Sequence, residues 1–294
     1  MAKLAFPDLG LLAAYAVCRV LPIDWVSAFG AWRGRYRGAQ LQELEARARA
    51  NLAIIAPDQD PARVLAQLRR ESGRAALEVL IADRIARARR VHWQASPEFE
   101  AVVAQKRSVV FALPHLCNLG DVLGGSLIER HSHFVFYDGI TRKFQNPTMR
   151  WLMDRCRANL LQGRRGRIHA PDPGMARRVL KNLANGPSAL FIHIDEARGK
   201  QVPFPGFGRP IADKGLNVHY AIRFARRSGA VLVPATMHRE PGRAVRFTAR
   251  PLAVWDMAST SASDAEVLAQ MQQAFEAEIA TNPSDWLNIY HRRP

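Results

Sequence analysis

The segment 109–125, VVFALPHLCNLGDVLGG, delivers His115 at the end of an apolar run and places Asp121 six residues later. A neutral imidazole in such a position can take the proton of a weakly acidic hydroxyl as its oxygen attacks a thioester. A carboxylate on the far ring nitrogen would fix the tautomer and stabilise the imidazolium that forms. His115 and Asp121 are the residues that can supply these two roles, although the same spacing also serves a structural capping pair. Cys117 lies two residues beyond His115. A lone cysteine in an apolar run reads as packing rather than as a nucleophile. His131, His133, His169 and His193 read as structural histidines. With no His-Glu-x-x-His helix and no paired cysteines, no metal site is expected.

These residues need elements to hold them. Short β-rich runs at 108–113, 133–137, 189–194, 231–236 and 245–249 alternate with helical patterns at 148–157, 173–184 and 214–228. Strands alternating with helices of this length imply an α/β fold, a mixed, largely parallel sheet flanked by helices. The end of a strand is where such a sheet keeps reactive groups. Residues 38–96, rich in Ala, Leu, Arg and Glu, read as a helical lead-in to a body spanning 97–294, and the tract 258–264 reads as a loop before a last helix over 264–281.

Within the helical N-terminal extension, residues 1–37 read as an interfacial, membrane-associated segment, with an ordinary buried first helix as the alternative. The apolar run 9–18 is about half the roughly 20 residues a spanning helix requires. It is followed by tryptophans and by Arg33, Arg35 and Arg37, cations that could meet lipid headgroups. A secretory signal is disfavoured, since only Lys3 precedes the run and no small-x-small cleavage site follows it.

The chain has 294 residues, 42 Lys and Arg against 26 Asp and Glu, and a formal net charge of +16. That balance points to an anionic partner: nucleic acid, anionic lipid or an acidic carrier protein. The segment 163–169, GRRGRIH, invites the first, but no recognised nucleic-acid module appears, and nucleic acid is not expected as a partner. Three widely spaced cysteines suit a reducing compartment without a disulfide framework.

Several motifs follow in order: RARANL at 47–52, ALPHLCN at 112–118, TRKFQNPTMRWL at 141–152, LFIHIDEARG at 190–199, VPFPGFGRP at 202–210, RSGAVLVPATMHR at 227–239 and NPSDWLNIYHRRP at 282–294. Together they resemble the bacterial lipid A late acyltransferases (lauroyl and myristoyl transferases) of the glycerolipid and lysophospholipid acyltransferase superfamily. The resemblance implies a glycerolipid acyltransferase-like fold, with His115 as general base and Asn118 as the asparagine between base and acid. It implies Arg142 and Arg157 as cations for phosphate or the acyl carbonyl, and Asp195 or Glu196 as a further acid. It also implies an acyl carrier protein (or acyl-CoA) thioester as donor, a lipid A precursor or related glycolipid as acceptor, no cofactor, and a peripheral or monotopic place on the cytoplasmic face of the bacterial inner membrane.

One position departs from the pattern. The family acid falls five residues after the histidine, where this chain has Gly120, and Asp121 comes one residue late. One residue turns a side chain by about 100° on a helix, so an irregular turn at Leu119 and Gly120 is expected to bring Asp121 back to His115. The alternative is a catalytically degenerate, lipid-binding homologue of the same fold.

Overall fold

A computed structural model describes residues 6–36, 40–117, 120–130, 136–140, 146–160, 166–169, 174–196 and 204–292. Helices α1 (Phe6–Val20), α2 (Ile23–Arg35), α3 (Gln40–Ile55), α4 (Pro61–Glu78) and α5 (Ala82–Arg87) open the chain. There follow β1 (Val91–Trp93), α6 (Pro97–Ala104), β2 (Val109–Leu113), α7 (Gly120–Arg130), β3 (Phe136–Ile140), α8 (Pro147–Leu160) and β4 (Gly166–His169). The remainder is α9 (Met175–Ala184), β5 (Ser188–His193), α10 (Asn217–Ser228), β6 (Val231–Arg239), β7 (Phe247–Pro251), β8 (Trp255–Asp256) and α11 (Asp264–Thr281), then single turns at Pro283–Asp285 and Leu287–Tyr290.

The strands form one sheet in the order β1-β7-β6-β2-β5-β3-β4, with β8 added to β6. The pairs from β6 through β2, β5 and β3 to β4 are parallel, as is β1 with β7; β7 and β8 run antiparallel to β6. This is the expected mixed, largely parallel α/β sheet. β2 is buried throughout because both its faces are covered. Its side chains alternate between two cores. Val109, Phe111 and Leu113 pack with Phe99, Leu123 and Leu152, while Val110 and Ala112 pack with Val179, Ile222 and Phe275. β1 lies inside the stretch read as helical, because an edge strand of three residues is too short to show a period.

α11 occupies the expected span because its start is written in the sequence: Ser263 accepts from the Glu266 N–H, and Glu266 returns a bond to the Ser263 N–H, a capping box. A third core, with Leu52, Leu65, Leu68, Phe207, Trp286 and Ile289, packs α3 and α4 against the C-terminal turns. Asn51 pins those turns by donating to the carbonyls of Ile289 and Arg292.

α2 packs on α4 through glycine. A Cβ on Gly30 would stand 2.6 Å from the Gly73 carbonyl oxygen, and one on Gly34 would stand 2.2 Å from that of Arg69, so the backbones touch. The opposite face carries Trp25, Phe29, Trp32 and Tyr36, at 66%, 54%, 52% and 72% exposure. Their spacing sets them in one stripe. Phe29 stacks on Trp32 at 5.5 Å between ring centroids.

His238 near the end of β6 ties the sheet to the C-terminal turns, with Nδ1 2.9 Å from Asp285 and Nε2 bonded to Glu278. Burial works against its charge, but the hydrogen bonds and negative charges of Asp285 and Glu278 prevail and raise its pKa to about 9. A group whose pKa rises on folding stabilises most below its unfolded pKa, and that contribution fades as pH climbs through the folded value. Between roughly pH 6.5 and 9 the wild type should therefore lose up to about 3 kcal/mol that a His238→Gln variant, already lacking it, does not lose. Urea midpoints across that range test this; parallel pH dependences would refute it.

Candidate active site

β2 ends at Leu113, and Pro114 turns the chain so that His115 stands beyond the carboxyl end of the central strand. The neighbouring strand β5 runs parallel, with Leu113 opposite His193. Asp195, two residues past the end of β5, therefore arrives beside His115. Asp195 Oδ1 lies 2.6 Å from His115 Nδ1, and Oδ2 accepts the His115 backbone N–H at 2.9 Å.

The C-terminal turns supply the remaining bonds to this carboxylate. Trp286 Nε1 donates to Asp195 Oδ2 at 2.7 Å and Asn288 Nδ2 at 2.9 Å. The Cys117 N–H in turn donates to the Asp285 carbonyl at 2.8 Å, holding these turns against the loop after β2. Asp195 is thus buried and saturated with donors. Burial alone would raise its pKa, but His115 and the bonds from His115 and Trp286 hold it at about 2. Burial pushes His115 down, yet the charge and hydrogen bond of Asp195, with a contribution from Glu196, leave its pKa raised. Because Nδ1 is committed to Asp195, Nε2 is the nitrogen that can accept a proton.

Asp121 takes a different partner from the one expected. On the first turn of α7 its carboxylate accepts from Arg157 Nε at 3.0 Å, so the carboxylate hydrogen-bonded to His115 is that of Asp195. Glu196 accepts from Asn217 Nδ2 at 3.4 Å. Asn118 and Arg142 lie outside the described residues. Cys117 is packed: its thiol faces the Met237 carbonyl, and burial pushes its pKa well up, which removes it as a nucleophile.

His193, read from the sequence as structural, stacks on His115 with centroids 4.1 Å apart and planes 20° from parallel. His115, His193 and Asp195 offer ligand atoms within 4.8 Å of one another. Lone pairs of stacked rings lie in nearly parallel planes, however, and do not converge on one point as metal coordination requires. Trp286 and Asn288 were not singled out in the sequence either. They lie within the motif NPSDWLNIYHRRP, and their spacing from His115 gives no hint of contact.

A histidine with a buried carboxylate on its far nitrogen, at the carboxyl end of a central parallel strand of an α/β fold, is an arrangement that can act as a general base. Residues 8–293 match the family of bacterial lipid A biosynthesis acyltransferases, and the chain belongs to that family. Lipid A acyltransferase activity, with an acyl donor and a lipid acceptor, follows from that membership in general terms. No individually curated protein matches the chain.

Proposed function

We propose that His115 is the general base and Asp195 its orienting carboxylate in acyl transfer from a carrier-protein thioester to a hydroxyl of a lipid A precursor or related glycolipid. The observation that carries this reading is the 2.6 Å His115–Asp195 bond with Asp195 locked by Trp286 and Asn288. The acceptor hydroxyl gives its proton to Nε2 as its oxygen bonds to the thioester carbon. Collapse of the tetrahedral intermediate breaks the carbon–sulfur bond, and the imidazolium returns the proton to the departing thiolate.

Arg157, held by Asp121 on α8, and Arg142 are proposed cations for the anionic parts of the substrates, with Asn118 and Glu196 as further polar contacts. The net charge of +16 suits an acidic acyl carrier protein as donor in preference to acyl-CoA, since a basic surface steers an acidic partner.

The α2 stripe supports a peripheral site on an anionic membrane, taken as the cytoplasmic face of the bacterial inner membrane. Among the described residues no helix is long and apolar enough to cross a bilayer. Trp25→Ala combined with Trp32→Ala should weaken binding to anionic phospholipid vesicles by roughly tenfold or more, through lost apolar contact. Unchanged sedimentation with vesicles would remove α2 as the contact surface.

Purified protein incubated with labelled acyl-carrier and acyl-CoA thioesters and a lipid A precursor tests the function. Product is expected from the carrier thioester and lost by on the order of 10²- to 10⁴-fold in His115→Ala. Lipid binding with no product from any donor would instead favour a degenerate, lipid-binding homologue.

A further inference from the structure

Gly120 begins α7, a helical position that does not itself demand glycine. What demands it is space. A Cβ at this position would stand 2.2 Å from His193 Nε2 and 2.3 Å from its Cε1, well inside any real contact distance. A face of the ring is covered by the His115 stack at 4.1 Å, while Asn217 Nδ2 holds the His193 carbonyl at 2.7 Å. His193 Nδ1 is buried with no hydrogen-bond partner among the described residues. A buried nitrogen left unpaired is costly, so no hydrogen bond at Nδ1 explains why the ring sits there. Packing does.

We infer that Gly120 and His193 form a matched pair: the space left by the missing side chain at 120 is filled by the His193 imidazole, which holds the His115 ring in line with Asp195. His193 is then a positioning residue for the proposed transfer, and this role rests on His115 being its base. A hydrogen bond through Nδ1 alone lets the His115 ring swing about its side-chain bonds, and a flat ring against its face stops that motion. Misplacing a catalytic group by about 1 Å costs on the order of 10²-fold. The stacked ring must also be uncharged, or it would repel the imidazolium formed during transfer. Burial and the neighbouring His115 push the His193 pKa down to about 3; Arg157 acts in the same direction and Asp195 against it.

The test is a two-by-two set in the full chain: wild type, Gly120→Ala, His193→Ala and both together. Turnover, KM, thermal midpoint and the titration of His115 by ¹⁵N NMR are measured for each. Gly120→Ala alone should lower kcat by roughly 10- to 100-fold with little change in KM, and should lower the His115 pKa as its ring leaves Asp195. In the His193→Ala background the same alanine should cost nothing further, and should leave the thermal midpoint equal or higher, because alanine favours helix over glycine. His193→Phe, a flat ring without nitrogen, should keep more activity than His193→Ala when glycine is retained at 120. Equal effects of Gly120→Ala in both backgrounds on turnover, titration and midpoint would overturn the pair. A wild type without turnover would sink the transfer reading, and coupling would then be judged from the titration and the midpoint.

Discussion

Asp195→Asn should lower turnover by on the order of 10²- to 10⁴-fold, while Asp121→Asn should retain most of it. The asymmetry follows from partners: Asp195 holds His115 Nδ1, and Asp121 holds Arg157. An asparagine at 195 can present its NH₂ group to Nδ1, which favours the tautomer with the proton on Nε2 and removes the base. It also leaves the developing imidazolium without its counter-charge in a buried place. The pH profile carries a second signature. A base works unprotonated, so wild-type activity should fall at acid pH with a midpoint above the ordinary imidazole value, because the Asp195 charge and bond overcome burial. Without that charge, burial dominates and the His115 pKa drops. The acid limb of Asp195→Asn therefore moves to lower pH while the plateau falls. An Asp121→Asn loss as large as that of Asp195→Asn would return the orienting role to Asp121.

Both members of this pair were legible in the sequence, but their pairing was not. His115 ends an apolar run, and the acid nearest to it in the sequence was Asp121. The acid nearest in space is 80 residues away, and it is brought there because β5 pairs with β2 in parallel. Strand patterns showed that both runs exist; only sheet order shows that they are neighbours. The two donors that complete the Asp195 site come from turns after α11, where no periodicity signals a contact with the sheet. Gly120 stands where the resemblance implies an acid, and in the sequence it reads as the flexible point of an irregular turn that returns Asp121 to His115. Its meaning is volumetric instead, since His193 from another strand occupies the space, and volume shared between distant segments leaves no trace in local spacing. By contrast, α11 was readable from end to end because its capping box is local.

The largest stability effect expected lies away from the site, at Arg239. Its Nε bonds Glu71 and its Nη2 bonds Glu78, each at 2.6 Å, and its guanidinium lies 4.6 Å above the Phe247 ring. The three side chains are only 8%, 1% and 0% exposed. Glu71 and Glu78 are seven residues apart, two turns on one face of α4, so one arginine from β6 can hold both. An ion pair of this kind adds little over well-packed apolar groups, but removing one partner strands the others without water. Arg239→Met leaves Glu78 buried without its cation and Glu71 with only the looser Arg74 pair at 3.5 Å, and should cost about 3 to 5 kcal/mol, lowering the melting midpoint by on the order of 10 °C. The sign of its pH dependence is also fixed. Burial already raises the Glu71 pKa against the pull of Arg239. Without the arginine it rises further, so the folded state binds protons more readily than the unfolded one, and the variant regains stability as pH falls from 7 toward 5. Adding Glu71→Gln and Glu78→Gln to Arg239→Met should recover much of the loss at neutral pH. A triple variant no more stable than the single one would show that the loss came from packing against Phe247 rather than from stranded charge.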